Sequence, residues 1–242
     1  MGMTRWADFW NADNPIYVSE RHKRLHYRFI ARDIAALMDE LGLGSDTAVL
    51  DYGCGEALSA DLLAHRCGRL TLCDAAATIR ERLKERFAGN PKIAVMAPDE
   101  VDASPDGACD LIVVNSLVQY LSRSEFAERL AVWRAKLKSG GHLVLADVIP
   151  PHLSPLADAR ALTGFAAKGG FLGAALVGLV RTFFSDYRRL RGELGLAQYD
   201  EPEMTALLAA AGLTATRRPS NLGHNQARMT FVAKPSAAAI GT

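Results

Sequence analysis

The sequence carries little net charge to which a partner could respond. Its 242 residues include 28 lysines and arginines against 27 aspartates and glutamates, which gives a formal net charge of +1 at pH 7. No basic run alternates with aromatic residues, so neither a strong field nor a local patch favours a nucleic-acid partner. Apolar residues make up 49% of the chain, which is ample for the core of one enzyme domain.

Cysteine is scarce and follows no ligand pattern. The four cysteines are Cys54, Cys67, Cys73 and Cys109, with no C-x-x-C pair and no zinc spacing, so no metal site is predicted. We expect them to be small buried side chains in a reducing compartment. The first eight residues also lack the apolar core of a signal peptide, which predicts a cytoplasmic location.

The hydrophobic pattern alternates between short strands and amphipathic helices. Strands are predicted at residues 48–51, 70–74, 93–96, 110–115, 142–147, 213–217 and 229–234. The main helices are predicted at residues 30–41, 59–65, 122–139 and 202–212, with another that carries Ile79, Leu83 and Phe87. This alternation implies a parallel sheet with helices on both faces. The last two strands are joined by only about a dozen residues, too few for a crossover helix, so they must pair antiparallel.

The most informative segment is AVLDYGCGEA, residues 48–57. An apolar strand ends in Asp51, and Gly53 and Gly55 then open a loop where a ligand can lie against the main chain, because glycine has no Cβ atom. The same geometry serves dinucleotides and S-adenosylmethionine. Asp51 favours the second, since a carboxylate suits a ligand with an ammonium group and would repel a pyrophosphate.

This segment resembles the first motif of the class I S-adenosylmethionine-dependent methyltransferases, usually written D/E-x-G-x-G-x-G, with Ala57 in place of the third glycine. The resemblance is strong over residues 45–150 and topological over residues 200–234. It implies an α/β fold with a Rossmann-like doubly wound sheet, mostly parallel, that ends in a C-terminal antiparallel hairpin strand. It also implies S-adenosyl-L-methionine as the cofactor.

Three residues after the second and third strands are candidates for the nucleoside part of the cofactor. Asp74 ends the second strand, where an acid typically binds ribose hydroxyls, although a plain helix N-cap is the alternative. Ala75 would then line the adenine edge. In the family an acid after the third strand often accepts from the adenine amino group, and Asp99 is the candidate, against an ordinary exposed loop acid.

The end of the fourth strand supplies the next candidates. Asn115 and Ser116 follow four apolar residues and, by the resemblance, face the methionine part of the cofactor. Simple turn chemistry would also explain them. Tyr120 follows on the same rim, where it could line the methyl-transfer channel or pack against the next helix.

Candidate bases lie near the end of the chain and of the fifth strand. Ligands bind at the carboxyl ends of parallel strands, and an antiparallel last strand begins at that same edge. The polar loop of residues 221–228 should therefore lie on the acceptor side. A base is required only if the acceptor arrives protonated, and His224 is the first candidate and Asp147 the second.

Segments outside the resemblance concern the acceptor. Residues 1–44 are expected to form a helical lid, in which Tyr17, Arg21 and His22 could contact the cofactor or acceptor, or form a solvated helix face. The methyltransferase domain is predicted at 45–235, with an insert at about 151–200 and a disordered tail at 236–242.

Residues 169–180 of the insert carry no charge and are followed by Arg181, Arg188, Arg189 and Arg191. The run is shorter than the roughly 20 apolar residues that span a bilayer. It could be ordinary core, a cover over the acceptor pocket, or a peripheral membrane contact with arginines at lipid headgroups.

The sequence therefore predicts an S-adenosylmethionine-dependent methyltransferase for a small, apolar or lipid-like acceptor. One alternative is a nicotinamide-dependent oxidoreductase, against which stand Asp51, the terminal hairpin, and Leu58 where the dinucleotide fingerprint needs glycine or alanine. A second is a non-catalytic, cofactor-binding subunit of a partner enzyme, although Asp51, Gly53, Gly55 and Asp74 are all present. The sequence does not predict an oligomeric state.

Overall fold

A computed structural model describes residues 17, 19–183 and 195–236. The strands are β1 Ala48–Tyr52, β2 Arg69–Cys73, β3 Ile93–Met96, β4 Cys109–Asn115, β5 Leu137–Val148, β6 Leu213–Arg217 and β7 Met229–Pro235. The helices are α1 Glu20–Glu40, α2 Ala60–Ala64, α3 Ala77–Phe87, α4 Pro98–Ala103, α5 Arg123–Lys136, α6 Pro155–Gly169, α7 Leu172–Phe183 and α8 Glu201–Ala210.

The described strands form one sheet in the order β3-β2-β1-β4-β5-β7-β6. The first five are parallel, and β7 pairs antiparallel with both β5 and β6, which confirms the predicted hairpin. The chain reverses direction across the sheet between β1 and β4, so the carboxyl ends of both strands open on one crevice, where ligands bind in such sheets.

Alternate residues of the central strands feed two cores, one on each face of the sheet. Leu50 and Ile112 face a core completed by α5 and α8, in which Phe126, Leu130 and Trp133 are the predicted inner stripe of α5. Neighbouring positions face a second core built with α1, α2 and α3. The periods of two and 3.6 residues in the sequence therefore set which faces are buried.

Two predicted boundaries are wrong. Helix α1 begins at Glu20, not near residue 30, because the Ser19 side chain accepts from the amide of His22 and caps an earlier first turn. The Gly140–Gly141 pair does not separate a helix from a strand, because β5 already begins at Leu137 and runs through both glycines. A Cβ atom on Gly141 would lie 2.8 Å from the carbonyl oxygen of Cys109, so glycine lets β5 pass close to β4.

None of the helices in the described part of the chain is both long enough and apolar enough to cross a bilayer.

Candidate active site

The turn after β1 is held against the end of β2 by main-chain hydrogen bonds. The amides of Gly53 and Cys54 both donate to the carbonyl of Cys73, at 2.7 and 3.0 Å. Gly53 and Gly55 have φ angles of +80° and +56°, which only glycine adopts at no steric cost. Ala57, in the place of the third glycine, has a φ of +41°. The substituted motif therefore keeps the left-handed turn at the cost of local strain.

Asp74 fixes this turn from the β2 side. Its carboxylate accepts hydrogen bonds from the amides of Gly55 and Ala76, both at 2.9 Å. Burial raises its pKa, although these hydrogen bonds and Arg80 act in the opposite direction. Helix α3 is capped by Ala76 without a side-chain cap, so Asp74 does not occupy the N-cap position. Carboxylate oxygens have further lone pairs, so Asp74 can hold the turn and still accept from ligand hydroxyls.

Helix α1 covers the glycine turn. The Tyr27 hydroxyl oxygen accepts a 2.9 Å hydrogen bond from the amide of Glu56, and a Cβ atom on Gly55 would lie only 2.6 Å from it. Lys23, one turn earlier on α1, forms a 2.6 Å ion pair with the Glu56 carboxylate. Absence of a side chain at Gly55 is therefore a requirement of the contact with α1 as well as of the turn itself.

Between α1 and the strand ends lies a cavity of about 420 Å³. Its wall contains Asp51, Gly53, Gly55, Asp74, Ala75, Asn115, Ser116 and Tyr120, together with Tyr17, which precedes α1, and the α1 residues Lys23, His26, Tyr27, Ile30 and Ile34. Eight of the predicted site residues thus share one space. Three others, Asp99, Asp147 and His224, are not in its wall.

Asp51 places a carboxylate in this wall. Burial, with the charge of Asp74 as the second cause, raises the pKa of Asp51 from 3.8 to about 7. A cation that enters the cavity would lower this pKa again, because an opposite charge favours the ionised form of the carboxyl group.

Asn115 and Ser116 end β4 beside Asp51. The side-chain oxygen Oδ1 of Asn115 is buried and has no hydrogen-bond partner among the described residues. Such atoms are uncommon, and in a cavity wall they mark a place for a donor. Ser116 has a φ of +55°, an uncommon left-handed backbone for serine, and its Oγ donates to Asp147 at 2.7 Å.

Asp147 is held in a polar network instead of facing the cavity. Its Oδ2 also receives a 2.7 Å hydrogen bond from Arg228, and the other end of that guanidinium reaches Asp158 at 3.2 Å. The Asn221 side-chain oxygen accepts from the amide of Asp147 at 3.1 Å. The predicted approach of the 221–228 loop to the end of β5 is present, but Asp147 is engaged as an ion-pair partner and not as a free base.

His224 lies in an aromatic layer behind the cavity wall. Its ring stacks on Phe165 of α6, with centroids 4.6 Å apart and planes at 20°. It meets the ring of His26 edge-on at 5.9 Å. Burial is the main cause of a lowered pKa at His224. The loop histidine is therefore one ring removed from the cavity, and His26 stands between.

The remaining predicted positions separate clearly. Tyr120 and Ala75 line the cavity, the first in a short 3₁₀ turn, Val118–Tyr120. Asp99 is exposed in the first turn of α4, a helix the sequence did not predict, and is not brought to the cavity. Of the residues singled out in the segment 1–44, Tyr17 lines the cavity, whereas His22 is stacked on Phe171 with ring centroids 5.0 Å apart.

The insert packs against α1, outside the cavity. Arg21 donates through Nε to the Gly169 carbonyl at 2.7 Å, and Phe171 and Ala175 are buried in a small cluster under α7. Among the described residues, the cavity wall includes none from 151–183. The opposite face of α7 exposes Leu172, Leu176 and Val177, of which the last two are each 53% exposed. The side chains of the four arginines after the run lie outside the described residues.

Sequence reasoning missed His26, Tyr27 and Lys23 as wall residues. These residues lie in a run rich in aromatic and basic side chains, residues 14–27, but the predicted helix begins only at residue 30. The available signal was Ser19, whose capping geometry sets α1 in register and turns positions 23, 26, 27 and 30 to one face.

Comparisons with known proteins agree on the domain. A family described as "Methyltransferase domain" matches residues 49–141, which run from β1 into β5. Residues 49–141 thus form a methyltransferase domain similar to those of the class I S-adenosylmethionine-dependent methyltransferases. Methyltransferases of this class use S-adenosyl-L-methionine, and the wall fits it: the carboxylate of Asp51 and the unpartnered Asn115 Oδ1 both suit an ammonium group.

Similarity to individual methyltransferases is distant. Nodulation protein S of Rhizobium tropici is 29% identical over 143 residues, which are 58% of this chain and 55% of that protein. The chain thus spans about half the length of the curated relatives that it matches.

Solved structures share the fold at low identity. The magnesium protoporphyrin IX methyltransferase of Synechocystis PCC 6803, solved with S-adenosylhomocysteine, has a TM-score of 0.59 at 17% identity and covers 97% of this chain and 94% of its own. A putative S-adenosylmethionine-dependent methyltransferase of Methanococcus maripaludis has a TM-score of 0.62 at 15% identity, covering 98% and 95%.

Proposed function

We propose that this chain transfers a methyl group from S-adenosylmethionine to a small acceptor, apolar or lipid-like in character. The observation that carries the proposal is the single cavity that joins the glycine turn, two acidic strand ends, the open Asn115 oxygen and an aromatic cover from α1. The magnesium protoporphyrin IX methyltransferase, which shares the fold, is consistent with a small-molecule acceptor.

Each end of the cavity has a chemical task in this proposal. Asp51 and the Oδ1 of Asn115 bind the ammonium group, and Asp74 binds the ribose hydroxyls while it holds the Gly55 amide. Ala75 lies at the adenine edge. Asp99, exposed on α4, would need to move to reach that base, so we assign it no contact.

Acceleration comes mainly from alignment. Methyl transfer is an in-line displacement at a sulfonium carbon, so an enclosed site that fixes donor and acceptor supplies much of the rate. Helix α1 acts as the lid: Tyr27 and Lys23 fasten it to the glycine turn, while Arg21 and His22 fasten it to the insert. Tyr120 lines the acceptor side, and Ser116 and Asp147 hold the ends of β4 and β5 together.

The acceptor is inferred from the cover of the cavity. Four tyrosines line it, with His26 and aliphatic side chains of α1, and such walls hold flat or apolar molecules. The exposed apolar face of α7 would allow delivery of such a molecule from a membrane surface.

Two measurements test the proposal. Calorimetry should show binding of S-adenosylmethionine and of S-adenosylhomocysteine, with no binding of NAD. Methyl-labelled cofactor incubated with fractionated cell extract should then pass label to an organic-extractable product. Binding of NAD alone would support the oxidoreductase, and cofactor binding without label transfer from any fraction would support a non-catalytic subunit.

A further inference from the structure

Two imidazole rings meet where α1, α6 and the 221–228 loop come together. His26 of α1 and His224 of the loop lie edge to face, with centroids 5.9 Å apart. Tyr17 and Tyr27 contact the His26 ring at 5.5 and 5.6 Å. Of the two histidines, only His26 belongs to the cavity wall.

The polar edge of His26 is not used by the protein. Its ring lies among aromatic neighbours in the cavity wall, and none of the hydrogen bonds among the described residues uses a ring nitrogen of His26. The ring nitrogens therefore remain available to a ligand group in the cavity.

The surroundings also set the charge of this ring. Burial, with His224 and then His22 as further causes, lowers the pKa of His26 to about 3. The ring is therefore neutral near pH 7, and a neutral imidazole offers one nitrogen as an acceptor. A ring in this state accepts from an O–H or N–H group.

We propose that His26 is the residue that receives the hydrogen bond, and then the proton, of an acceptor molecule carrying a neutral O–H or N–H group. The inference rests on the proposed methyl-transfer function and names the acceptor chemistry for it. His224 has a supporting role, because its stack on Phe165 fixes the wall against which the His26 ring lies.

The step balances without another reactant. A lone pair on the acceptor oxygen or nitrogen forms a bond to the methyl carbon, while the carbon–sulfur bond breaks and leaves its electron pair on sulfur. The proton of the acceptor passes to the free nitrogen of His26, which becomes an imidazolium and later releases the proton to solvent. The positive charge thus moves from sulfur to the imidazole. Burial, with His224 and then His22 as further causes, disfavours the charged ring, so the proton transfer accompanies bond formation, which makes the acceptor group strongly acidic, and the imidazolium then gives up the proton.

The decisive variants replace rings by a ring without nitrogen. His26→Phe keeps the aromatic packing and should lower label transfer to extract fractions by about 100-fold or more, the usual effect of losing a general base. His224→Phe should have a much smaller effect. His65→Phe, at an exposed position outside the cavity wall, is the matched control. Calorimetry with S-adenosylmethionine and thermal unfolding should be unchanged in all three.

Chemical rescue separates proton transfer from packing. In His26→Ala, added imidazole should restore label transfer, which a merely structural ring would not allow. In ¹³C-histidine spectra of the protein loaded with S-adenosylhomocysteine, phenol should shift the His26 signal, assigned by its absence in His26→Phe, and leave the His65 signal in place.

The outcomes are distinguishable. Wild-type turnover in His26→Phe, or loss confined to His224→Phe, would overturn the role of His26 and leave the methyltransferase in place. The same holds if imidazole fails to rescue and phenol fails to shift the signal. Absence of label transfer by the wild-type protein that binds cofactor would overturn the proposed function itself, and this inference with it.

Discussion

The cofactor side and the acceptor side of the cavity are built in different ways. On the cofactor side, short backbone contacts join β1 to β2, and the two carboxylates proposed to bind the cofactor stand at strand ends within 23 residues of one another, Asp51 to Asp74. On the acceptor side, rings from α1, α6 and a loop near residue 224 come together from distant parts of the chain. The first region depends on main-chain geometry and the second on side-chain packing, so we expect substitutions to affect them separately.

The largest expected effect is on the cofactor side. Asp51→Asn removes the partner of the ammonium group and should weaken S-adenosylmethionine binding by about 2–5 kcal/mol, or roughly 30- to 5,000-fold. Asp46→Asn, at an exposed position away from the cavity, is the control. An unchanged dissociation constant in Asp51→Asn, measured by calorimetry, would remove Asp51 from cofactor binding and leave the glycine turn alone.

The pH dependence of binding sharpens the same assignment. With the pKa of Asp51 raised from 3.8 to about 7 in the free protein, cofactor affinity should fall as the pH drops below about 7. Affinity should also fall above about 8, where the ligand amino group loses its proton. In Asp51→Asn, cofactor affinity should no longer fall below pH 7 but should still fall above about pH 8.

The stability of the cofactor-free protein should depend on pH in the opposite direction to cofactor affinity. A raised carboxyl pKa means that the fold disfavours the charged form, so Asp51 destabilises the free protein progressively as pH rises from about 4 to about 7. Thermal unfolding of the cofactor-free protein should therefore show a higher Tm for Asp51→Asn at pH 8 and no difference at low pH.

Asp74→Ala should have a somewhat smaller effect. Loss of charge-assisted hydrogen bonds costs about 1.5–3 kcal/mol, or roughly ten- to a hundredfold in cofactor affinity. Asp74→Ala also leaves the Gly55 amide without its acceptor. Asp74→Asn keeps one acceptor oxygen for that amide, so it should lose less cofactor affinity than Asp74→Ala. Calorimetry of both variants measures this, and equal losses would argue against a role in the turn.

Gly55→Ala tests where the two regions touch. The left-handed φ of +56° should cost about 1–2 kcal/mol of stability, and the 2.6 Å approach to the Tyr27 hydroxyl adds to it. Tyr27→Phe removes that oxygen, so the double variant should be less destabilised than the sum of the single ones. Additive free energies of denaturant unfolding would show that α1 does not lie over the turn in solution.

The smallest expected effect lies on the outer face of α7. Leu176→Asp with Val177→Asp alters two half-exposed side chains and should change unfolding free energy by no more than about 0.5 kcal/mol each. Cofactor affinity should not change. Phe171→Asp, on the buried face, should cost several kcal/mol.

The same pair of variants tests membrane contact. If α7 rests on lipid, the parent protein should sediment with anionic vesicles and the double aspartate variant should stay in solution. If the two proteins sediment equally with vesicles and methylate equally, the exposed face of α7 has no role in the mechanism. Leu179 belongs to the same uncharged run, and its side chain lies outside the described residues.

Most of the fold was predictable because its signals are local. The apolar strands, the capping box at Ser122 and Glu125, and the short β6–β7 connection each depend on neighbouring residues. The order of the strands in the sheet was not predicted. The boundaries that failed depend on distant contacts. Gly140 and Gly141 indicate a break when read locally, but β4 passes so close to Gly141 that a strand needs glycine there.

By itself, the sequence determined the parallel sheet, the glycine turn and the location of Asp51 and Asp74 at strand ends. The alternation of apolar residues, the conformational freedom of glycine and the end of a strand are all properties of adjacent residues. Only the tertiary structure decided that Asp147 is neutralised by Arg228, that Asp99 lies outside the cavity, and that His26 faces it while His224 does not. These outcomes depend on how helix α1, the insert and the last loop pack together. Such contacts join residues far apart in the chain, and no local pattern records which ring or which carboxylate ends up nearest the ligand.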